Sequence, residues 1–222
     1  MSGWRGATSR IFKAISRTKI KAPATDCIAP IGEELIESSL RAEVQAEFYT
    51  AVTRRPTVYR GNPFLIEAGL AYGGELSADD PVTVFRFANR VPLQYQQGAC
   101  AITKGVTATE WKSYQLQQPR GAPPIGPMLL MVHIASVWVP FTSESKEAIA
   151  HYPEIIKEMV FGLQECGRRL SVYLRRRQRQ AEVERKRNYM SLYIPHLALG
   201  LKDMLDLSDR QEKTIVDTLV GM

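Results

Sequence analysis

Cysteine and histidine are scarce in these 222 residues, with three of each. Cys27, Cys100 and Cys166 are odd in number, far apart and without a C-x-x-C pair, which argues against a disulfide framework and against a thiolate zinc site. His133, His151 and His196 are scattered, and His133 lies in an apolar run, where a hydrogen-bonded core histidine is the ordinary reading. No metal site of this chain's own is expected.

Long apolar stretches are missing as well. No run reaches the ~18 residues that would span a bilayer. The basic start "MSGWRGATSRIFKAISR" lacks the apolar core of a signal peptide. The expectation is a soluble cytoplasmic protein with no membrane partner. Phosphate loops of the G-x-x-x-x-G-K-[ST] kind, G-x-G-x-x-G, H-E-x-x-H and the nucleophile elbow are all absent. Paired carboxylates such as Glu33 and Glu34 fall on helix faces expected to be solvated. No catalytic residue is assigned.

What is present is enough apolar residue, 45%, for a sizeable core, and a charge distribution with one focus. Arg168 to Arg187 holds nine basic residues against Glu182 and Glu184, a surplus of seven, whereas the whole chain carries +6. An argument for nucleic-acid binding from charge therefore rests on that segment.

Apolar spacing predicts a helix in "TSRIFKAISR" and another in "IGEELIESSLRAEVQAEF", whose acidic first turn suits the helix dipole. "FLIEAGLAYGGEL" alternates as a strand, and "VTVFRFANRV" reads as its partner in a hairpin turned at Gly73-Gly74. "QGACAITKGVTATEWKSY" is helical again. "MLLMVHIASVWVP" has the composition of a central strand buried on both faces. A layered α/β sandwich follows. From Pro153 to about Met190 one long helix is predicted, its second half almost bare of apolar residues, leaving the domain as an arm. "YIPHLALGLKDMLDL" and "SDRQEKTIVDTLVGM" read as two short amphipathic helices, with Pro195 in a first turn and Ser208 as an N-cap.

Three stretches, "APATDCIAPIGEEL" (22–35), "RRPTVYRGNPFLIEAGLAYGGEL" (54–76) and "FRFANRVPLQYQQGACAITK" (85–104), resemble the C-terminal half of the B subunit of DNA topoisomerase VI, the type IIB enzyme. The similarity continues through "WKSY" (111–114), "VPFTSESKEAIA" (139–150) and "YIPHLA" (193–198). It implies an α+β fold: a two-layer α/β sandwich, the transducer with its ribosomal-protein-like βαβ fold, then a long stalk helix and short C-terminal helices. It further implies the end of a helix–two-turn–helix insert at 1–22, the transducer at 23–165, and at 166–222 a stalk whose helices bind the topoisomerase VI A subunit. The GHKL ATPase part of that family's B subunit is not among these residues, so ATP and magnesium would be bound mainly outside this chain.

By the same resemblance Lys146 is the lysine that reaches the γ-phosphate of ATP held by the GHKL domain, and the sequence places it at a helix mouth flanked by Ser143 and Ser145. Trp111, Lys112 and Tyr114 correspond to the family's W-K-x-Y stretch on the DNA-facing side. Arg175, Arg176, Arg177 and Arg179 are candidates for phosphate contacts on double-stranded DNA. The implied function is coupling of ATP binding and hydrolysis to DNA gate opening and strand passage with the A subunit, in a heterotetramer associated with the nucleoid. The competing reading is a stand-alone nucleic-acid-binding or scaffold protein that uses the arginine-rich helix.

Overall fold

The structure is a computed structural model that describes residues 3–18, 24–205 and 208–220. In chain order its elements are α1 (Gly3–Arg17), α2 (Glu33–Glu43), β1 (Phe48–Thr53), β2 (Thr57–Tyr59), β3 (Asn62–Tyr72), β4 (Thr83–Ala88), β5 (Val91–Pro92), α3 (Ala101–Ala108), β6 (Met128–Ser136), α4 (Pro153–Leu205) and α5 (Asp209–Val220). Two compact units, Met1–Leu170 and Ser171–Met222, divide within α4.

The first unit is built on one sheet of order β1-β3-β6-β4-β5, with β2 paired to β3. Every residue of β6 is buried. It lies between antiparallel β3 and parallel β4, the central position predicted for a run with no polar face. The segment from β4 through α3 to β6 is thus a βαβ unit. The predicted β3–β4 hairpin does not form, because β6 takes the place between them. A strand buried along its whole length, as β6 is, needs a neighbour on each side, whereas β4 is only partly buried and sits closer to the edge. Gly73, instead of closing a tight hairpin, donates its N–H to the Pro127 carbonyl at 2.8 Å.

Side chains alternate across β3, which sorts the helices by face. At Gly69 a Cβ would lie 2.7 Å from Ile36 and 2.9 Å from Leu40, so α2 packs there at closest approach. On the opposite face Ile66 and Ala68 meet Gly162 of α4, and Gly105 of α3 meets Met159. Sheet against α3 and the first part of α4 is the expected sandwich, and α2 covers part of the other face. Ile36, Met159 and Leu163 are fully buried, each worth about 1.5–3 kcal/mol relative to exposure.

The helix predicted through Phe48 stops at Glu43. Val44 turns to extended backbone, and "FYTAVT", rich in aromatic and β-branched residues, forms edge strand β1. Its outer edge is satisfied by side chains. Glu37 accepts from the Ala51 N–H and Glu33 from the Thr53 N–H, each at 3.1 Å, while Arg169 donates to the Ala51 carbonyl at 2.7 Å. Two acids from α2 and one guanidinium from α4 thereby blunt an edge that would otherwise template pairing with another chain.

In the second unit the predicted break near Met190 is absent, and α4 continues to Leu205 with Pro195 inside it. An internal proline costs about 3 kcal/mol. Burial of Ile194 and Ala198 on either side holds the segment helical against that cost. Lys202 pairs with Asp209 and Glu212 of α5. Ser208 caps α5 as predicted: its carbonyl accepts from Gln211 and Glu212, and Gln211 Oε1 accepts the Ser208 N–H at 2.9 Å, half of a capping box.

Candidate functional site

Lys146 sits at the tip of a loop whose base is tied shut. Phe141 and Ile149 form an isolated antiparallel bridge. Thr142 N–H donates to Ala148 O at 2.9 Å and Ala150 N–H to Pro140 O at 2.7 Å. Ala148 and Ile149 are fully buried, which fixes the returning strand of the loop, while Lys146 itself is exposed.

This is not the helix mouth that the sequence suggested. α4 begins only at Pro153. Lys146 has a φ of 55°, and its N–H is used in a turn to Ser143 O at 3.2 Å. A lysine in the left-handed region costs about 1–3 kcal/mol. With that N–H engaged, attraction for an anion falls to the ammonium and to the paired hydroxyls of Ser143 and Ser145, 2.7 Å apart. One cation and two hydroxyls suit a phosphate oxygen and do not suit magnesium. No group of three or more His, Cys, Asp or Glu among the described residues is placed to hold a metal ion.

Two contacts orient the loop from the start of α3. Ala101 N–H donates to Ile149 O at 2.9 Å, and Gln96 Nε2 donates to Glu147 Oε2 at 2.6 Å. Neither partner stood out in the sequence, because both contacts join segments about fifty residues apart.

Trp111 is corrected. It is fully buried, and its indole N–H donates to Val106 O at 2.8 Å, so its ring is unavailable to stack on a base. Tyr114 is half-buried edge-on to Trp111, with ring centroids 6.2 Å apart. It lies so close over Gly167 that a Cβ there would be 2.5 Å from its ring. Lys112, on the same one-turn 3-10 helix, is exposed. Of the "WKSY" stretch, Lys112 and Ser113 are presented to solvent, and the two aromatics seat the turn that carries them.

Arg175, Arg176, Arg177 and Arg179 are exposed along α4 in the second unit. Helical spacing puts Arg175, Arg176 and Arg179 on one side.

Glu67 and His133, paired in register on β3 and β6, form a buried polar centre. Glu67 accepts from Ile31 N–H, Gly32 N–H and Thr53 Oγ, each at 2.8 Å. It also faces His133 Nδ1 at 2.9 Å. Burial alone pushes its carboxyl up, but the bonds from His133, then from Ile31, Gly32 and Thr53, outweigh it and hold the pKa at about 2 against an ordinary 4.5. The Arg90 N–H donates to His133 Nε2 at 3.0 Å. That nitrogen therefore carries its lone pair, and the proton sits on Nδ1. The centre locks the entry to α2 onto the sheet. It is structural: His133 is the hydrogen-bonded core histidine expected from the sequence, and its partner is signalled only as an acid inside an apolar alternation.

The family model for the topoisomerase VI B subunit transducer matches residues 23–186. The chain belongs to that family. The chain is 47% identical, over 98% of its length and 35% of the relative, to the B subunit of type 2 DNA topoisomerase 6 from Methanococcoides burtonii. It is 45% identical, over 98% of this chain and 36% of the relative, to that of Archaeoglobus fulgidus. The chain thus spans about a third of the length of these curated relatives. Among solved structures, the B-subunit of DNA gyrase from Myxococcus xanthus is similar at 18% identity and a TM-score of 0.35, over 53% of this chain and 33% of that one. No described helix of the chain is long and apolar enough to cross a membrane.

Proposed function

We propose that this transducer couples the nucleotide state of a GHKL ATPase portion to opening of a DNA gate carried with the A subunit, as part of a type II topoisomerase that relaxes and decatenates DNA. The observation that supports the reading is an exposed lysine on a loop closed at its base and held from α3, in a chain of the topoisomerase VI transducer family. Lys146 contacts the γ-phosphate when ATP is bound across the domain boundary and releases it after hydrolysis. One charge-assisted hydrogen bond is worth about 1.5–3 kcal/mol, enough to bias a domain rotation. ATP with magnesium supplies the anion and its hydrolysis, and this chain contributes the sensing cation. Lys112 and the arginines of α4 contact the phosphates of double-stranded DNA, and the helices of the second unit bind the A subunit.

Reconstitution tests this. The chain is mixed with a separately produced GHKL portion and the A subunit, and ATP-dependent relaxation of supercoiled DNA is followed. Lys146→Ala is expected to abolish relaxation while Lys104→Ala, on the exposed side of α3, leaves it intact. Equal activity of both variants would reject the sensor role. If the isolated chain instead binds nucleic acid tightly, with a salt sensitivity that disappears when residues 175–179 are neutralised, and reconstitution fails, the stand-alone reading replaces this one.

A further inference from the structure

Arg86 is the residue whose environment the fold leaves incomplete. Its β4 neighbours Phe85 and Phe87 pack with Ile36 and Leu40 on the α2 side, so Arg86 points to the opposite side of the sheet, and it is only 4% exposed. Its Nη2 donates to the Tyr95 carbonyl at 3.1 Å. Its Nη1 is buried with no hydrogen-bond partner, and no ion pair to a carboxylate is formed among the described residues. A guanidinium is always charged and carries five donors. Holding it in a low-dielectric interior without a counter-charge is among the most costly arrangements in a folded chain.

Beside it lies a cavity of about 480 Å³ lined by Arg86, Thr83, Gln94 and Gln97 among others. The cavity exists because β5 pairs with β4 only at Phe87–Pro92 and Ala88–Val91, and the last bond before the strands part is Leu93 N–H to Arg86 O at 2.7 Å. Tyr95, whose carbonyl holds Arg86, belongs to the segment that supplies Gln94 and Gln97 to the cavity wall. Val82, Val84, Phe85, Phe87, Pro92 and Leu93 line it too, so the wall along the open flank of β4 is largely apolar, with Arg86, the two carboxamides and the Thr83 hydroxyl as its polar groups.

We propose that this cavity binds an oxyanion, a phosphate or a carboxylate, that completes the hydrogen bonding of Arg86. The planar fork of a guanidinium pairs two oxygens of either group at once. Gln94, Gln97 and Thr83 supply neutral donors at the mouth. The proposal does not rest on nucleotide sensing by Lys146.

The whole chain is titrated with sodium phosphate, and separately with sodium acetate, against sodium chloride at equal ionic strength. The side-chain N–H resonances of Arg86 and the amides of Gln94 and Gln97 are followed by NMR, with Arg86→Lys used for assignment. A saturable shift confined to these groups is expected. A response to phosphate alone marks a phosphate-type ligand, a response to acetate a carboxylate, and chloride produces none. Arg86→Gln should weaken the affinity about tenfold or more. If that variant does not fold, Gln97→Ala at the exposed mouth should weaken it severalfold with the fold unchanged. The proposal is overturned if neither oxyanion gives a saturable response, or if the response is the same without the guanidinium or without Gln97.

Discussion

Glu67 Oε2 and His133 Nδ1 lie 2.9 Å apart across β3 and β6, with both side chains closed to solvent. The pair joins three segments distant in sequence: the entry to α2 through Ile31 and Gly32, the sheet itself, and the turn after β4 through the Arg90 N–H. Removing either partner strands donors or an acceptor in the core. Glu67→Ala is expected to cost several kcal/mol, at about 1–3 kcal/mol for each buried donor left without its acceptor, here Ile31 N–H, Gly32 N–H and His133 Nδ1–H, read by chemical denaturation. In an intact protein, 15N NMR should report His133 as the neutral Nδ1–H tautomer.

The same centre sets an acid response. Glu67 has a folded pKa of about 2, below its ordinary 4.5, so its ionised form favours the native state. That stabilisation is complete above the unfolded value, declines as pH falls below about 4.5, and is gone below about 2. It amounts to about 3 kcal/mol. Denaturation midpoints should drop over this window, and Glu67→Gln, itself less stable at neutral pH, should show a shallower decline.

The side-chain-capped edge of β1 makes a further prediction. Glu33→Ala with Glu37→Ala uncovers the Thr53 and Ala51 N–H groups. A destabilisation of about 1 kcal/mol per bond is expected, with faster hydrogen exchange at these two amides and concentration-dependent association through the bare edge.

Glycines at close approaches should not tolerate a methyl group. Gly69→Ala forces Ile36 and Leu40 outward, and Gly167→Ala drives into the Tyr114 ring. Each is expected to cost about 1–3 kcal/mol. In the reconstituted enzyme, Gly167→Ala should also weaken DNA binding through Lys112, because the turn that carries Lys112 is seated by Tyr114.

Thiol chemistry separates the cysteines. Cys27 is exposed, whereas Cys100 and Cys166 are buried, and burial pushes the Cys166 thiol up to about 12. Alkylation of the folded chain at about pH 8, followed by mass spectrometry, should label Cys27 alone, with the other two reacting only after denaturation.

For DNA, replacing Arg175, Arg176 and Arg179 with glutamine should lower the steepness of log affinity against log salt by about 0.9 for each phosphate that is no longer neutralised. An unchanged slope would remove these arginines from the interface.

The sequence by itself determined the elements whose patterns are local. The nearly continuous apolar run of β6 called for a central place, the apolar periodicity and acidic first turn of α2 marked a helix there although Leu35 is left exposed, and Ser208 marked the start of α5. The resemblance carried Lys146 and the charge count carried the basic segment, since both are legible as short strings. Tertiary structure decided what depends on neighbours far along the chain. It inserted β6 between β3 and β4, closed the Lys146 loop into a turn with no helix mouth, and buried Trp111 away from any nucleic acid. It paired Glu67 with His133, and it carried α4 through Pro195 because flanking burial outweighed one missing hydrogen bond. Local periodicity fixes which face of an element is apolar, but which partner covers that face, and which charge is left to complete it, is settled only when the layers close.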